Sequence, residues 1–207
     1  MKVALLLACA CVWLGAAPQA TPPTARETRM PFTEADGDRF AVKYAAIVAR
    51  TPPSSGQRRK PIQTVVTEPE FNGYLRYRGR QALPVGVVDP YVFALGAGRL
   101  SGVAIVDLDA VRLSKPRGLL DPAQLLRGRV PVAATGLLTS KDGEFRFLLE
   151  SATVAGFDVP KSLLQELVAY YTKSASHPEG YSLDAPFTLS GGIRQITVES
   201  GRAIVIQ

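Results

Sequence analysis

Several short patterns in this chain hold residue types that do chemistry elsewhere, and spacing decides what each one means here. Gly96-x-Gly98-x-x-x-Gly102 approaches a dinucleotide fingerprint, but it carries one residue too many before the third glycine and runs on into a strand pattern. A phosphate cradle needs a helix N-terminus at that point, so the glycines read as a hairpin turn. Asp107-x-Asp109 would place two carboxylates on one face of a strand, because alternate strand residues point the same way. Two side chains supply too few oxygens for a hard cation, which takes about six or more, and an exposed pair beside a basic residue is the expectation. His177 is the only histidine. That excludes the multi-histidine zinc sites, and neither GxSxG nor SxxK is present to give a hydrolase its nucleophile. Glu68 and Glu70 stand two apart on a helical pattern and point in different directions, which argues against an acid/base couple. No catalytic residue, metal or cofactor is expected.

Tyr74, Arg76, Tyr77, Arg78 and Arg80 interleave aromatics with arginine, as single-stranded nucleic-acid platforms do. The start of the chain argues for a different partner. Residues 1–20 (MKVALLLACACVWLGAAPQA) carry one Lys, an apolar run from Val3 to Leu14, and then small residues. This is the form of a secretion signal, too short to span a membrane. Export to the periplasm or the extracellular space points away from nucleic acid and toward an anionic membrane surface as partner. Both cysteines, Cys9 and Cys11, fall within the signal, so the mature chain would hold no thiol and no disulfide. Leu6-Leu7-Ala8-Cys9 loosely resembles a lipoprotein cleavage site. The apolar stretch ahead of Cys9 is very short, and ordinary cleavage is the expectation. The chain is basic, with a formal charge of +6 that becomes +5 on loss of Lys2 and a pI near 9.5.

The elements that must position these residues can be read from periodicity. Residues 21–32 read as a flexible lead-in with Pro22 and Pro23, and 33–207 as a single domain of ordinary size. Thr33 caps a helix running to Arg50, with Phe40, Tyr44, Ile47 and Val48 on one face and Gly37 weakening its first turns. Thr51–Pro61 is a loop carrying Arg58, Arg59 and Lys60. After a short strand at Ile62–Val66, Thr67 and Glu70 stand at capping-box spacing for a helix to Tyr77, with Phe71, Tyr74 and Leu75 on its buried face. The period then changes to two. Tyr91, Phe93 and Leu95 alternate with Val92 and Ala94, and a long strand follows from Leu100 to Leu113. Val130–Thr139 and Glu144–Val154 form a hairpin around Asp142-Gly143, a favoured turn pair. Val159–Lys173 is the strongest helix, with Leu163, Leu164, Leu167, Val168, Tyr170 and Tyr171 forming a broad apolar face. Strands at Ile193–Val198 and Ala203–Gln207 close the chain. Few helices, long strands and no βαβ alternation predict an α+β protein with an antiparallel sheet.

Three stretches resemble the exported bacterial LmeA-like phospholipid-binding domains and their uncharacterised relatives: Thr67-Glu68-x-Glu70-Phe71-Asn72-x-Tyr74-Leu75, Val154-x-Gly156-x-x-Val159-Pro160-x-x-Leu163-x-x-x-Leu167, and the ending from Phe187 to Val205. The resemblance implies a half-barrel, a strongly curved antiparallel sheet wrapped around a long amphipathic helix as in tubular lipid-binding proteins, with an apolar groove for acyl chains. The expected groove residues are Phe71, Leu75, Phe93, Leu163, Leu167, Tyr170 and Tyr171, and the expected headgroup contacts are Arg76, Arg78 and Arg80. Basic residues in other loops, among them Lys115, Arg117, Arg127 and Arg129, could join them.

The resulting expectation is a non-catalytic cell-envelope protein that binds lipid or another apolar ligand. Burying ten methylenes is worth about 8 kcal/mol before ordering costs, enough to hold a lipid without a dedicated polar contact. The alternative is an envelope assembly factor that offers the edge of the Leu100–Leu113 strand to a protein partner. A hydrolase using His177 ranks last.

Overall fold

The computed structural model of the chain describes residues 29–50, 60–113, 128–141, 143–172 and 178–207; the side chains of 111–113, 167 and 170–172 are outside that description. The expected signal, its cysteines, His177 and the loop cations Arg58, Arg59, Lys115, Arg117 and Arg127 all lie outside the described residues. The fold is α+β, with antiparallel strands throughout and few helices. No described helix is long and apolar enough to cross a membrane.

Both early helices start where local chemistry predicts. Helix α1, Glu34–Val48, is capped by Thr33, whose hydroxyl accepts from Asp36 N while the Asp36 carboxylate accepts from Thr33 N at 2.7 Å. Strand β1, Gln63–Thr67, leads into α2, Glu68–Tyr77, where Thr67 and Glu70 make the same reciprocal cap. These boxes satisfy backbone N–H groups that a helix leaves open. Gly37 does more than weaken a turn. A Cβ built on it would lie 2.8 Å from the carbonyl carbon and oxygen of Gly73, and one on Gly73 would lie 2.7 Å from Gly37 N. The missing side chains let α1 and α2 cross backbone to backbone.

The strands then divide into two sheets. Strand β2, Val87–Gly96, turns through Gly96–Gly98 into β3, Arg99–Asp107, so the near-fingerprint glycines make a hairpin. Strands β4, Arg129–Lys141, and β5, Glu144–Val154, form the second hairpin. Two short strands, β6 at Phe157–Asp158 and β7 at Phe187–Thr188, pair with opposite ends of β5. The larger sheet therefore runs β2-β3-β4-β5-β6 with β7 beside β5. Strands β8, Gln195–Glu199, and β9, Arg202–Ile206, pair with β1 in a second sheet of order β1-β9-β8.

Three expectations are corrected. The strand from Leu100 stops at Asp107, and Leu108–Leu113 is a short helix, α3. Asp107 accepts from Ala110 N at 3.0 Å and so caps that helix, while Asp109 accepts from Gly128 N. The aspartate pair is thus a cap and a loop tie, and no metal-binding cluster exists among the described residues. Second, β3 has β2 on one side and β4 on the other along its whole length, so it offers no edge to a partner. Third, the sheet is not strongly curled around the late helix. That helix, α4 at Lys161–Thr172, packs along β5, and Leu163 is 46% exposed. Helices α1 and α2 each bury one face, α1 through Gly37, Phe40 and Ile47 and α2 through Glu68, Glu70, Asn72 and Gly73.

Alternation on β2 separates two cores. Tyr91 and Phe93 pack with Val103, Phe32 and Ala133 on one face. Val92 and Ala94 point to the other face, toward a cluster of Phe40, Ile47, Val66 and Val205 with Phe71, Tyr74, Ile193 and Ile196 around it.

Candidate functional site

Between the second cluster and the large sheet lies a cavity of about 570 Å³, within the usual size of a small-ligand site. One wall is α1 (Phe40, Tyr44, Ile47, Val48) with Phe71 of α2. A second is the small sheet, through Val66, Ile196, Val198, Ala203 and Val205. A third is the large sheet, through Val92, Ala94, Leu100 and Leu138. The strap from Thr188 to Ile193, which carries the chain from β7 to β8, lines a further part, and the cavity is open to one side. The lining is overwhelmingly hydrocarbon.

Thr67 and Glu68, two of the polar residues at this wall, are committed to holding it together. Thr67 caps α2. Glu68 is buried; its Oε1 accepts the Tyr91 hydroxyl at 2.6 Å and its Oε2 accepts Ala94 N at 3.0 Å. One turn on, fully buried Asn72 donates to Val92 O and accepts from Val92 N, both at 2.8 Å. Glu68 and Asn72 thus occupy hydrogen-bonding positions that a neighbouring strand would take beside β2, and they satisfy a sheet edge that would otherwise be orphaned. Glu70 faces α1, where Lys43 Nζ reaches both its oxygens at 2.7 Å and Val65 O at 2.7 Å. Burial pushes the Glu70 carboxyl up, but the hydrogen bonds from Lys43 and Thr67 N outweigh it and hold the group below its ordinary value.

At the strap, the Gln207 side chain donates to Ile47 O at 2.9 Å and also to Gly191 O. This ties the C-terminal end of α1 to the strap. Gly191 sits at φ +80°, and a Cβ there would run into Ile47 O, so only glycine lets the strap lie this close.

Among the residues expected to bind ligand, Phe71 lies at the wall. Leu75 is half-buried on α2 but does not reach the cavity. Phe93 is buried in the other core, on the opposite face of β2. Leu163 lies on α4, away from the cavity, and Leu167, Tyr170 and Tyr171 share that helix with side chains outside the described residues. Arg76 pairs with Asp89 at 3.3 Å, Arg78 with Asp38 at 2.7 Å and Glu34 at 3.1 Å, and Arg129 with Asp107 at 3.3 Å, whereas Arg80 stands exposed on a 3₁₀ turn at Arg80–Ala82. Sequence reading placed Phe40, Tyr44, Ile47 and Val48 on one helix face without connecting them to a ligand. It read β1, β8 and β9 as strands, but their joint wall depends on pairing across most of the chain. No protein-family model, curated protein or solved structure matches this chain.

Proposed function

We propose that this protein holds an apolar ligand, a lipid acyl chain foremost, in the cavity between α1, α2 and the two sheets, and performs no chemistry on it. The observation that carries this reading is a cavity of about 570 Å³ whose wall is almost entirely carbon and whose one carboxylate, Glu68, spends both oxygens on Tyr91 and Ala94. A hydrocarbon chain gains about 0.8 kcal/mol per buried methylene there, less the costs of immobilisation. The resemblance of the α2 opening, the β5–α4 passage and the closing hairpin to LmeA-like lipid-binding domains adds to this reading. The signal-like residues 1–20 add export to the cell envelope.

Native mass spectrometry of protein purified from its own host tests the reading. It predicts a bound species that organic extraction releases as lipid. A clean apoprotein that takes up no fatty acid overturns it.

A second reading, strand-addition assembly with an envelope protein, has its footing at β5 rather than β3. Between its pairing with β7 at 144–145 and with β6 at 153–154, residues 146–152 have no strand on that side among the described residues.

A further inference from the structure

Two sets of side chains meet at one end of the cavity, and neither is explained by a ligand held inside it. The first set is apolar and exposed. Tyr44, Val48 and Leu189 line the cavity yet are 48%, 43% and 38% exposed, so they mark where it opens.

The second set is basic. Ten described Lys and Arg side chains are held by carboxylates, from Arg29 with Asp89 to Arg202 with Glu199. Arg50, Lys60, Arg80, Lys141 and Arg194 have no such partner among the described residues. Arg80 stands apart on the 3₁₀ turn after α2. The other four are distant in sequence, but backbone hydrogen bonds gather them around Gln207. Gln207 pairs with Ile62, two residues from Lys60. Its side chain bonds Ile47 O, which also accepts Arg50 N at 3.2 Å. Arg194 N bonds Ile206 O at 2.8 Å, and Arg194 O accepts from Gly143 N at 3.0 Å, two residues from Lys141. Gly191, beside Leu189 in the strap, accepts from Gln207 as well. These four cations and the apolar rim therefore share one end of the molecule. Glu144, across the hairpin from Lys141, is held by Arg146.

We propose that this end is a membrane-docking face. Tyr44, Val48 and Leu189 enter the boundary between headgroups and acyl chains of an anionic bilayer, and Arg50, Lys60, Lys141 and Arg194 sit at the level of the lipid phosphates. This rests on the reading of the cavity as a lipid site, and it gives that site an entrance through which an acyl chain would pass without crossing water. Apolar insertion and attraction to anionic lipid add in such a face. Of the arginines first expected at headgroups, Arg76 and Arg78 are neutralised by carboxylates, and Arg80 is exposed without one.

The test uses the full chain carrying Trp13→Phe, which removes its one tryptophan, with single reporters Val48→Trp, Leu189→Trp or Phe157→Trp. Phe157 is 76% exposed at the far end of the β4–β5 hairpin. Vesicles of phosphatidylcholine and phosphatidylglycerol with brominated acyl chains should quench the indoles at 48 and 189 and spare the one at 157. In the wild-type background, Arg50→Gln and Arg194→Gln should each weaken binding to these vesicles about fivefold and leave pure phosphatidylcholine unchanged. Rim indoles left unquenched, or quenching equal at 157, overturns the docking face, including the case of a chain held only by its N-terminal segment. Loading of each variant with a soluble fluorescent fatty acid, without vesicles, checks the cavity separately. Loading with unquenched rim indoles defeats the docking face alone, and failure of the wild type to load defeats the cavity reading.

Discussion

The carboxylate of Glu68 and the hydroxyl of Tyr91 share a 2.6 Å hydrogen bond between two buried side chains, one at the start of α2 and one on β2. Met30 N donates to the same hydroxyl oxygen at 2.8 Å. Burial first, then the hydrogen bond to Glu68 and its charge, push the Tyr91 phenol well above its ordinary value of 10.0. Tyr91→Phe should cost about 1.5–3 kcal/mol, because a buried charge loses a partner, measured by urea denaturation. A raised phenol contributes stability that is fully present below the unfolded value of 10.0 and lost as pH rises through the folded value. The wild type should therefore lose stability above pH 10 more steeply than Tyr91→Phe.

Acid should act on the α1–α2 pair. Glu70 and Asp36 are both held below their ordinary values, Glu70 by Lys43 and Thr67 against the opposing effect of burial, Asp36 chiefly by the Thr33 hydroxyl. Groups depressed in this way stabilise the fold above their unfolded values, about 4, and that contribution is lost as pH falls through the folded ones. Lys43→Met should flatten the loss of stability below pH 4 while lowering stability at pH 7, read from denaturation midpoints across that range.

Gly37→Ala places a methyl group against the Gly73 backbone, where nothing can yield but the helices themselves. The cost should be about 1–3 kcal/mol, or about 2–4 °C of melting temperature per kcal/mol in a domain of this size. Because α1 is a cavity wall, fatty-acid affinity should fall with it. An alanine variant as stable and as tight-binding as wild type would contradict the close crossing.

The two early helices, both hairpins and the antiparallel class were legible in the sequence because their determinants are local. Thr33 with Asp36 and Thr67 with Glu70 are three residues apart, and alternation around Tyr91 and Phe93 needs no partner to be seen. The cavity was not legible. Its walls depend on β1 pairing with β9, from Gln63↔Ile206 to Thr67↔Arg202, and on the Gln207–Ile47 bond, contacts across most of the chain. The apolar run beyond Asp107 also misled. A capping aspartate turned Leu108–Leu113 into a helix, whereas its alternation alone fits a strand.

Gln207→Ala should leave Gly191 O without this donor, break the side-chain bond to Ile47 O, and free the strap beside the cavity. Fatty-acid release should quicken, and amide exchange at residues 188–193 should rise, while exchange in the β3–β4 interior stays unchanged. Uniform acceleration throughout the chain would mean global destabilisation and not a loosened strap.

The most direct test is titration of the wild-type chain and Ala203→Phe with a fluorescent fatty acid. Ala203 is a half-buried cavity-lining residue of the small sheet, and a phenyl ring there fills space the ligand needs. The account predicts one saturable site per wild-type chain, and none in a variant that melts at least as high. A wild type with no saturable site, or a filled variant that binds equally well, would contradict it.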